Sequence, residues 1–538
     1  MTNPGASDRD FLLSRSFLAA WLLASVLVQS TAGAPVSADP QLIRGPYLQS
    51  CTPSQVTFRW RTDVSSDSEV RYGFNPSNLD KSVTDKSSVT EHVITVTGLS
   101  PGTLYYYSVG TTTKVLAGGD SDHFAKTAVP GGVRQPVRIW VIGDAGTANS
   151  DQKAVRDAYL SYAGSTRTDV WLMLGDNAYS DGTDSEYEKA VFDIYPMLLR
   201  QVPVWPTLGN HDAKSADSGS QSGVYYNIFT LPKGGEAGGV ASGTEAYYSY
   251  DHANVHFICL DSEDTDTKVG GSMWTWLDGD LSSTNQDWII AYWHHPPYSK
   301  GSHDSDGESD LYQMRERIVP LLEDYGVDLV LSGHSHSYER SFLLDGHYGK
   351  SDTLKMEMIL DGGDGKDGGD GAYFKPQAPH GGAVYVVAGS SGKTSGGSLD
   401  HPAMFYSADR LGSVVIDVDD QSLNVKFLRE TGKVDDFFTM NKSDLALVAE
   451  PDVVSSGDTV TFKTLQGNAG DPALLLWSSP GGSGFGVMAV GNYDASGRWT
   501  RQEIVPTGLA GLKLELQSIG LTTAGRIAAS NIEILEVQ

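Results

Sequence analysis

The side chains best able to do chemistry in this 538-residue chain stand in five clusters, each closing an apolar run. They are Asp144 in RIWVIGD, Asp176 and Tyr179 in DVWLMLGDNAY, and Asn210, His211 and Asp212 in VPVWPTLGNHD. Two more follow: His294 and His295 in DWIIAYWHHPPY, and His334 and His336 in VDLVLSGHSHSYER. Carboxylate, phenol, carboxamide and imidazole are the groups that ligate hard and borderline metal ions. Taken singly, most clusters have a plainer reading. Gly-Asp after a strand is often a turn, Asn-His-Asp can form an Asx-type turn, and His294 and His295 before Pro-Pro can be packing residues. His334 and His336 say more, because alternate residues of an extended segment can both reach one metal. Five strand ends that all hold metal-competent groups are hard to assign to turns alone.

The elements that must position these groups follow from the spacing. Ala154, Val155, Ala158, Tyr159 and Tyr162 share a helical face. So do Leu311, Met314, Ile318, Leu322 and Tyr325, with Ser309 as N-cap. Buried strands alternating with helices predict a largely parallel sheet over residues 137–432, with sites at the strand C-terminal ends. Before it, residues 39–128 read as antiparallel β, from the alternation of Val56, Phe58 and Trp60, of Ile94 and Val96, and of Tyr105, Tyr107 and Val109. The segment GLSPGTLYYYSV resembles the corner of fibronectin type III domains, with Tyr105 as the corner tyrosine. Residues 129–136 form a linker. Residues 447–538 return to short alternating strands (Val460 and Phe462; Leu512, Leu514 and Leu516; Ile532, Ile534 and Leu535), a small C-terminal β-sandwich. The fold class is multidomain α+β. Asp361 to Gly371 (DGGDGKDGGDG) lacks the EF-hand spacing and terminal Glu and reads as a solvated loop.

Composition narrows the function classes. The net charge of −28 excludes a non-specific nucleic-acid binder and a protein held on anionic lipid, since both need a basic surface. Phe17 to Val28 is an apolar run preceded by Arg9 and Arg15 and followed by small residues, with Val36 and Ala38 placed for cleavage. That is the pattern of a secretory signal peptide over residues 1–38, which predicts export to the periplasm, cell surface or medium, without stable membrane insertion. Cys51 and Cys259 read as two buried free thiols, although export would permit a bridge. Two cysteines are too few for a thiolate metal site.

The ordered set GDAG, GDNAY, GNHD, AYWH and GHSH resembles the calcineurin-like metallophosphoesterases, and more narrowly the purple acid phosphatases. Tyr179, three positions after Asp176, stands where that family places its iron-binding tyrosinate. The resemblance spans about residues 40–430. Its fourth motif usually begins with Val, and here that position is Ala291. The resemblance implies a central α/β metallophosphoesterase β-sandwich flanked by helices, behind a fibronectin III-like β-sandwich. It implies Fe3+ on Asp144, Tyr179 and His336, a divalent ion (Zn2+, Mn2+ or Fe2+) on Asn210, His294 and His334, and Asp176 between them. Phenolate is a hard donor suited to Fe3+, and imidazole and carboxamide suit the divalent partner. Two such ions bring roughly +5, of which two Asp and one tyrosinate cancel about three, so an acidic chain still offers phosphate a positive centre.

The implied activity is hydrolysis of small phosphate monoesters by a metal-held hydroxide. His211 would contact phosphate and donate a proton, with His303 in SKGSHDSD as a second catalytic candidate. Asp212 would orient its neighbourhood, His295 would pack, and Tyr338, Glu339 and Arg340 would support the last motif. Two alternatives stay open: a diesterase or nucleotidase on the same fold, and a non-catalytic acidic surface or Ca-binding protein. All seven ligand positions being filled counts against the second.

Overall fold

Val56, Phe58 and Trp60 on the Gln55–Gly73 strand, Ile94 and Val96 on Lys81–Thr97, and Tyr105, Tyr107 and Val109 on Leu104–Gly110 are all buried. Successive strand side chains point to opposite faces, so the alternation turns one face of each strand inward. In the computed structural model of the chain these strands join Leu42–Gln49, Val115–Gly118 and Phe124–Lys126 in a six-stranded antiparallel sheet. The Tyr105 hydroxyl accepts the Ser100 backbone N–H at 3.0 Å, the contact that defines a tyrosine corner. The structure describes residues 39–538 except 367, 370, 377, 378, 444, 445, 451, 452, 466–469, 471, 479–484, 495–497, 508–510 and 522–526. The leader read from residues 1–38 therefore lies outside the described residues, as do two positions of the Asp361–Gly371 loop. Among the described residues no helix is long and apolar enough to cross a membrane.

The middle of the chain builds two mixed seven-stranded sheets, not one largely parallel sheet. The first has the order Tyr373–Pro376, Val434–Ser443, Ser422–Arg429, Gly412–Asp419, Val137–Ile142, Val170–Met173, Val204–Pro206. The second has the order Tyr248–His252, Val255–Cys259, Trp288–Trp293, Leu329–Ser332, Val384–Ala388, Tyr338–Ser341, Met404–Ala408. Among the described residues of these two sheets, parallel pairing is confined to the strands starting at Val137, Val170 and Val204 and to those starting at Val255, Trp288, Leu329 and Val384, apart from the outer pair of Tyr373 with Met440. The sequence could not separate the sheets because their motif strands are buried on both faces, as in a doubly wound sheet. Inner residues of both sheets share one core that includes Trp140, Trp171, Trp205 and Trp293.

Helix Ser150–Ala163 is capped by Asn149, whose side chain accepts from the backbone of Asp151 and Gln152. Its buried face holds Val155, Ala158 and Tyr159. The second helical run starts at Ser309, but its N-cap is Glu308; Ser309 is the first helical residue. The run widens over Met314–Ile318 before continuing as Val319–Asp324. Near the C-terminus, sheets of three and five strands enclose Leu447, Val460, Phe462, Leu475 and Leu516. Leu514 and Leu516 are buried as their alternation predicts, whereas Leu512 precedes the strand and is exposed. Cys51 and Cys259 are buried free thiols, and burial pushes each up to about 12. They are poor nucleophiles at neutral pH.

His256, to which the sequence assigns no role, is buried between Asp251 at 2.7 Å and Asp280 at 2.9 Å. Burial alone would lower its pKa, but hydrogen bonds to the two carboxylates raise it to about 9. The unfolded value is near 6.5. The stabilisation is thus fully present below pH 6.5 and is lost as pH rises through 9, an effect of about 3 kcal/mol. His256→Gln should lower Tm at pH 6 and flatten the fall in Tm between pH 7 and 10. An unchanged profile by calorimetry would contradict this pairing.

Candidate metal centre

Asp144 follows the Val137–Ile142 strand, Asp176 and Tyr179 follow Val170–Met173, and Asn210 and His211 follow Val204–Pro206. His294 follows Trp288–Trp293, and His334 and His336 follow Leu329–Ser332. Three adjacent parallel strands of one sheet and two of the other thus end at the same place. The glycines before Asp176, Asn210 and His334 have a steric reason. A Cβ on Gly209 would overlap the backbone of Asp176, one on Gly333 would overlap the Asp144 carboxylate, and one on Gly175 would meet His294. Asp144, Asp176 and His334 themselves sit at φ 54°, 51° and 64°. Such left-handed conformations cost on the order of 1–3 kcal/mol each and persist only where packing imposes them.

Two donor sets result. Asn210 Oδ1, His294 Nε2 and His334 Nδ1 form a triangle with sides of 3.1, 3.2 and 3.2 Å. Asp144 Oδ1, Tyr179 Oη and His336 Nε2 form another, with sides of 3.1, 3.3 and 3.5 Å. Donors about 2.0–2.1 Å from one ion lie roughly 3.0–3.4 Å apart, so both triangles fit a metal. Asp176 lies against both sets: its Oδ1 is 3.5 Å from His294 Nε2, and its carboxylate clusters with Asp144 and His336.

The imidazoles are oriented from behind. His294 Nδ1–H donates to the Leu174 carbonyl at 2.8 Å, and His336 Nδ1 meets Ser395 Oγ at 2.8 Å. Each leaves the Nε2 lone pair for the site, an arrangement typical of metal-ligating histidine. His334 Nε2 faces Glu308 Oε2 at 3.6 Å, and burial lowers its pKa to about 4, so it offers a neutral ring. Burial and then the charges of Asp144 and Asp176 hold the Tyr179 phenol well above its usual range. A phenolate here needs a cation to replace its proton, so the donor chemistry fits a highly charged ion.

The remaining sequence candidates fall around this core. His211 donates its backbone N–H to Asp176 Oδ1 at 2.9 Å, its Nδ1 meets the Ser180 carbonyl at 2.6 Å, and its Nε2 lies 3.8 Å from Asp176 Oδ2. Asp212 is buried and accepts from Asn177 N–H and Nδ2, Gly209 N–H and the Tyr187 hydroxyl, which ties the Asp176 and Asn210 loops together. Burial and the Asp176 charge push its carboxyl up, against the pull of those donors. His295 is buried against Ser262, 4.4 Å ring to ring from His334, as a packing residue would be. The His303 ring lies 3.8 Å from that of His334, with Nδ1 on Glu308 Oε2 at 2.8 Å. Glu339 accepts from Ser299 and Ser337, while Arg340 and the Tyr338 hydroxyl bind Asp436. Asp361 and Asp364, the described carboxylates nearest the start of the Gly-rich loop, join no metal-competent group among the described residues.

Two features escape the motif reading. Glu308, which meets both His303 and His334, stands in SDGESD with nothing to single it out. A sixth apolar run, AVYVVAGSSGKT, ends at the same place: its strand Val384–Ala388 pairs in parallel with Leu329–Ser332. It has the pattern of the other five but no His or Asp at its end.

The family model described as calcineurin-like phosphoesterase matches residues 137–338, and that described as purple acid phosphatase, N-terminal domain matches residues 46–127. Purple acid phosphatase 15 of Arabidopsis thaliana is 29% identical over 276 residues, 46% of this chain and 49% of that protein. The match thus spans about half of that relative. Purple acid phosphatase 18 of the same plant is 29% identical over 60% of this chain and 70% of its own. Human acid phosphatase type 7 is 27% identical over 69% and 82%. A purple acid phosphatase from yellow lupin (Lupinus luteus) seeds superposes with a TM-score of 0.55 at 18% identity, covering 75% of this chain and 74% of that one. PhoD gives 0.52 at 13% identity, covering 86% and 92%. These two show a shared fold.

Residues 137–338 thus carry a calcineurin-like phosphoesterase domain, and residues 46–127 the N-terminal domain that goes with it in purple acid phosphatases. With these two domains and relatives named purple acid phosphatase, the chain is purple acid phosphatase-like.

Since Gly209 leaves no room for a Cβ beside Asp176, Gly209→Ala should displace the carboxylate both donor sets share. Overpacking of this kind costs about 1–3 kcal/mol. The expected result is a lower Tm and a metal content per chain below half that of the wild type. Full metal content by elemental analysis would contradict the assignment of Asp176.

Proposed function

We propose that this chain is an exported, binuclear metal-dependent phosphomonoesterase of the acid phosphatase type. In this reading Asp144, Tyr179 and His336 hold a trivalent iron, Asn210, His294 and His334 hold a divalent ion (Zn2+, Mn2+ or Fe2+), and Asp176 bridges. One observation supports it above the others: a single carboxylate lies between two separate triangles of donors, each of metal-binding dimensions. When bound, such a pair lowers the pKa of an attacking water and stabilises charge on the phosphoryl oxygens during in-line displacement.

The chain's own residues do the rest. His211 is turned by the Ser180 carbonyl, which takes Nδ1–H, so Nε2 faces the site. A protonated Nε2 there can hydrogen-bond a phosphate oxygen and release its proton to the departing alkoxide. His303, held through Nδ1 by Glu308, presents Nε2 beside His334 as a second donor to phosphate. Asp212 fixes the spacing of Asp176 and Asn210 without meeting substrate. The leader-like pattern of residues 1–38 supports export.

The decisive experiment combines metal analysis, a visible spectrum and an assay of 4-nitrophenyl phosphate beside a bis-aryl diester. The expectation is iron plus a divalent ion, a coloured protein, and preference for the monoester. A colourless, iron-free, active preparation would remove Tyr179 as an iron ligand, and preference for the diester would replace the substrate class. Asp176→Asn should lower occupancy of both metals, whereas His211→Ala should retain them and lose about 10²–10⁴-fold in kcat. Near-normal kcat in His211→Ala would end its role as donor.

A further inference from the structure

The sixth strand end brings a cation to the mouth of the site. The Gly389–Gly397 segment is held at several points to the donor loops. Ser391 donates its N–H to the Gly143 carbonyl at 3.1 Å. The Gly392 carbonyl accepts from Thr147 Oγ1 and Asn149 Nδ2, both at 3.2 Å. Ser395 meets His336 through both its N–H and its hydroxyl. Between these anchors stands Lys393, half-buried, its Nζ 3.9 Å from the centre of the Tyr179 ring.

A cation over an aromatic face is attracted to the ring quadrupole, but that contact leaves the ammonium's hydrogen-bonding capacity unused. Lys393 makes no hydrogen bond or ion pair among the described residues. The contrast is Lys214, across the same rim, which is committed to the Ser180 carbonyl at 2.9 Å and Asp181 at 3.3 Å. In a chain of net charge −28, an unpartnered ammonium fixed at the centre's edge is set to receive an anion. Its position says which one. The His211 ring packs against Tyr179 with centres 4.7 Å apart, so Lys393 and the proposed leaving-group donor share one side chain as their support.

We propose that Lys393 is a specificity-determining residue that binds a second anionic group on the leaving part of the substrate. The preferred substrates are then phosphate esters or anhydrides whose leaving group is itself charged, such as a nucleoside diphosphate, over those with a neutral leaving group. This rests on the phosphatase reading above.

The test compares wild type, Lys393→Met and Lys393→Arg, each loaded to equal metal content, on ADP and on 4-nitrophenyl phosphate. A charge-assisted hydrogen bond lost on substitution corresponds to about a tenfold change. Lys393→Met should raise KM for ADP about tenfold while changing KM and kcat for 4-nitrophenyl phosphate less than about twofold, and Lys393→Arg should restore ADP. Equal losses on both substrates, with a shifted visible band, would mean that Lys393 acts on the Tyr179 ligand and would overturn the proposal. No change on either substrate would overturn it too. If the wild type hydrolyses neither, the phosphatase reading fails and takes this inference with it.

Discussion

One carboxylate lies against two separate sets of donors at once, and the architecture around it follows from that constraint. Asp176 can sit between the two donor triangles only if the loops around it approach to backbone contact. Glycines 175, 209 and 333 make that approach possible, because a Cβ at any of them would overlap a neighbouring loop. The same crowding puts Asp144, Asp176 and His334 into left-handed backbone conformations, which isolated turns would abandon. Asp212, buried and fully hydrogen-bonded, locks the spacing from below. The short strands are the rigid stems that hold these loops in place.

The division of labour between the sheets is chemical as well as spatial. Asp144, Asp176, Tyr179 and Asn210, the oxygen donors, all follow strands of one sheet. His294, His334 and His336, the nitrogen donors, all follow strands of the other. Each triangle mixes the two. This also keeps the carboxylates together on one side, where their charge adds to burial in holding the Tyr179 phenol well above its usual range.

Much of this was legible in the residues. The alternation over Val56–Trp60 and Tyr105–Val109 identified the N-terminal β layer down to its corner tyrosine, and the five polar clusters pointed at positions that do converge. The split into two sheets was not legible, because a strand sandwiched between a second sheet and helices looks the same in sequence as one between two helical layers. Glu308 was hidden because an acidic residue in SDGESD has no periodic or motif context. The Gly389–Lys393 turn is silent in the sequence for a different reason. Its apolar run ends in glycine like the others, but the run closes on a lysine, which is no metal ligand and so carries no metal-site signal. His256 was missed because ion pairing of a buried imidazole depends on Asp251 and Asp280 meeting it from different elements.

The seam between the sheets has one more implication. Neither layer alone owns either donor triangle, so any cation held there would link its occupancy to layer docking. Ions bound there would act as rivets through the sandwich, and chelation would loosen the molecule along that line first. Amide exchange in the strands flanking the seam would then report cation loss before any global unfolding, making mechanical integrity and catalytic readiness two readouts of one equilibrium.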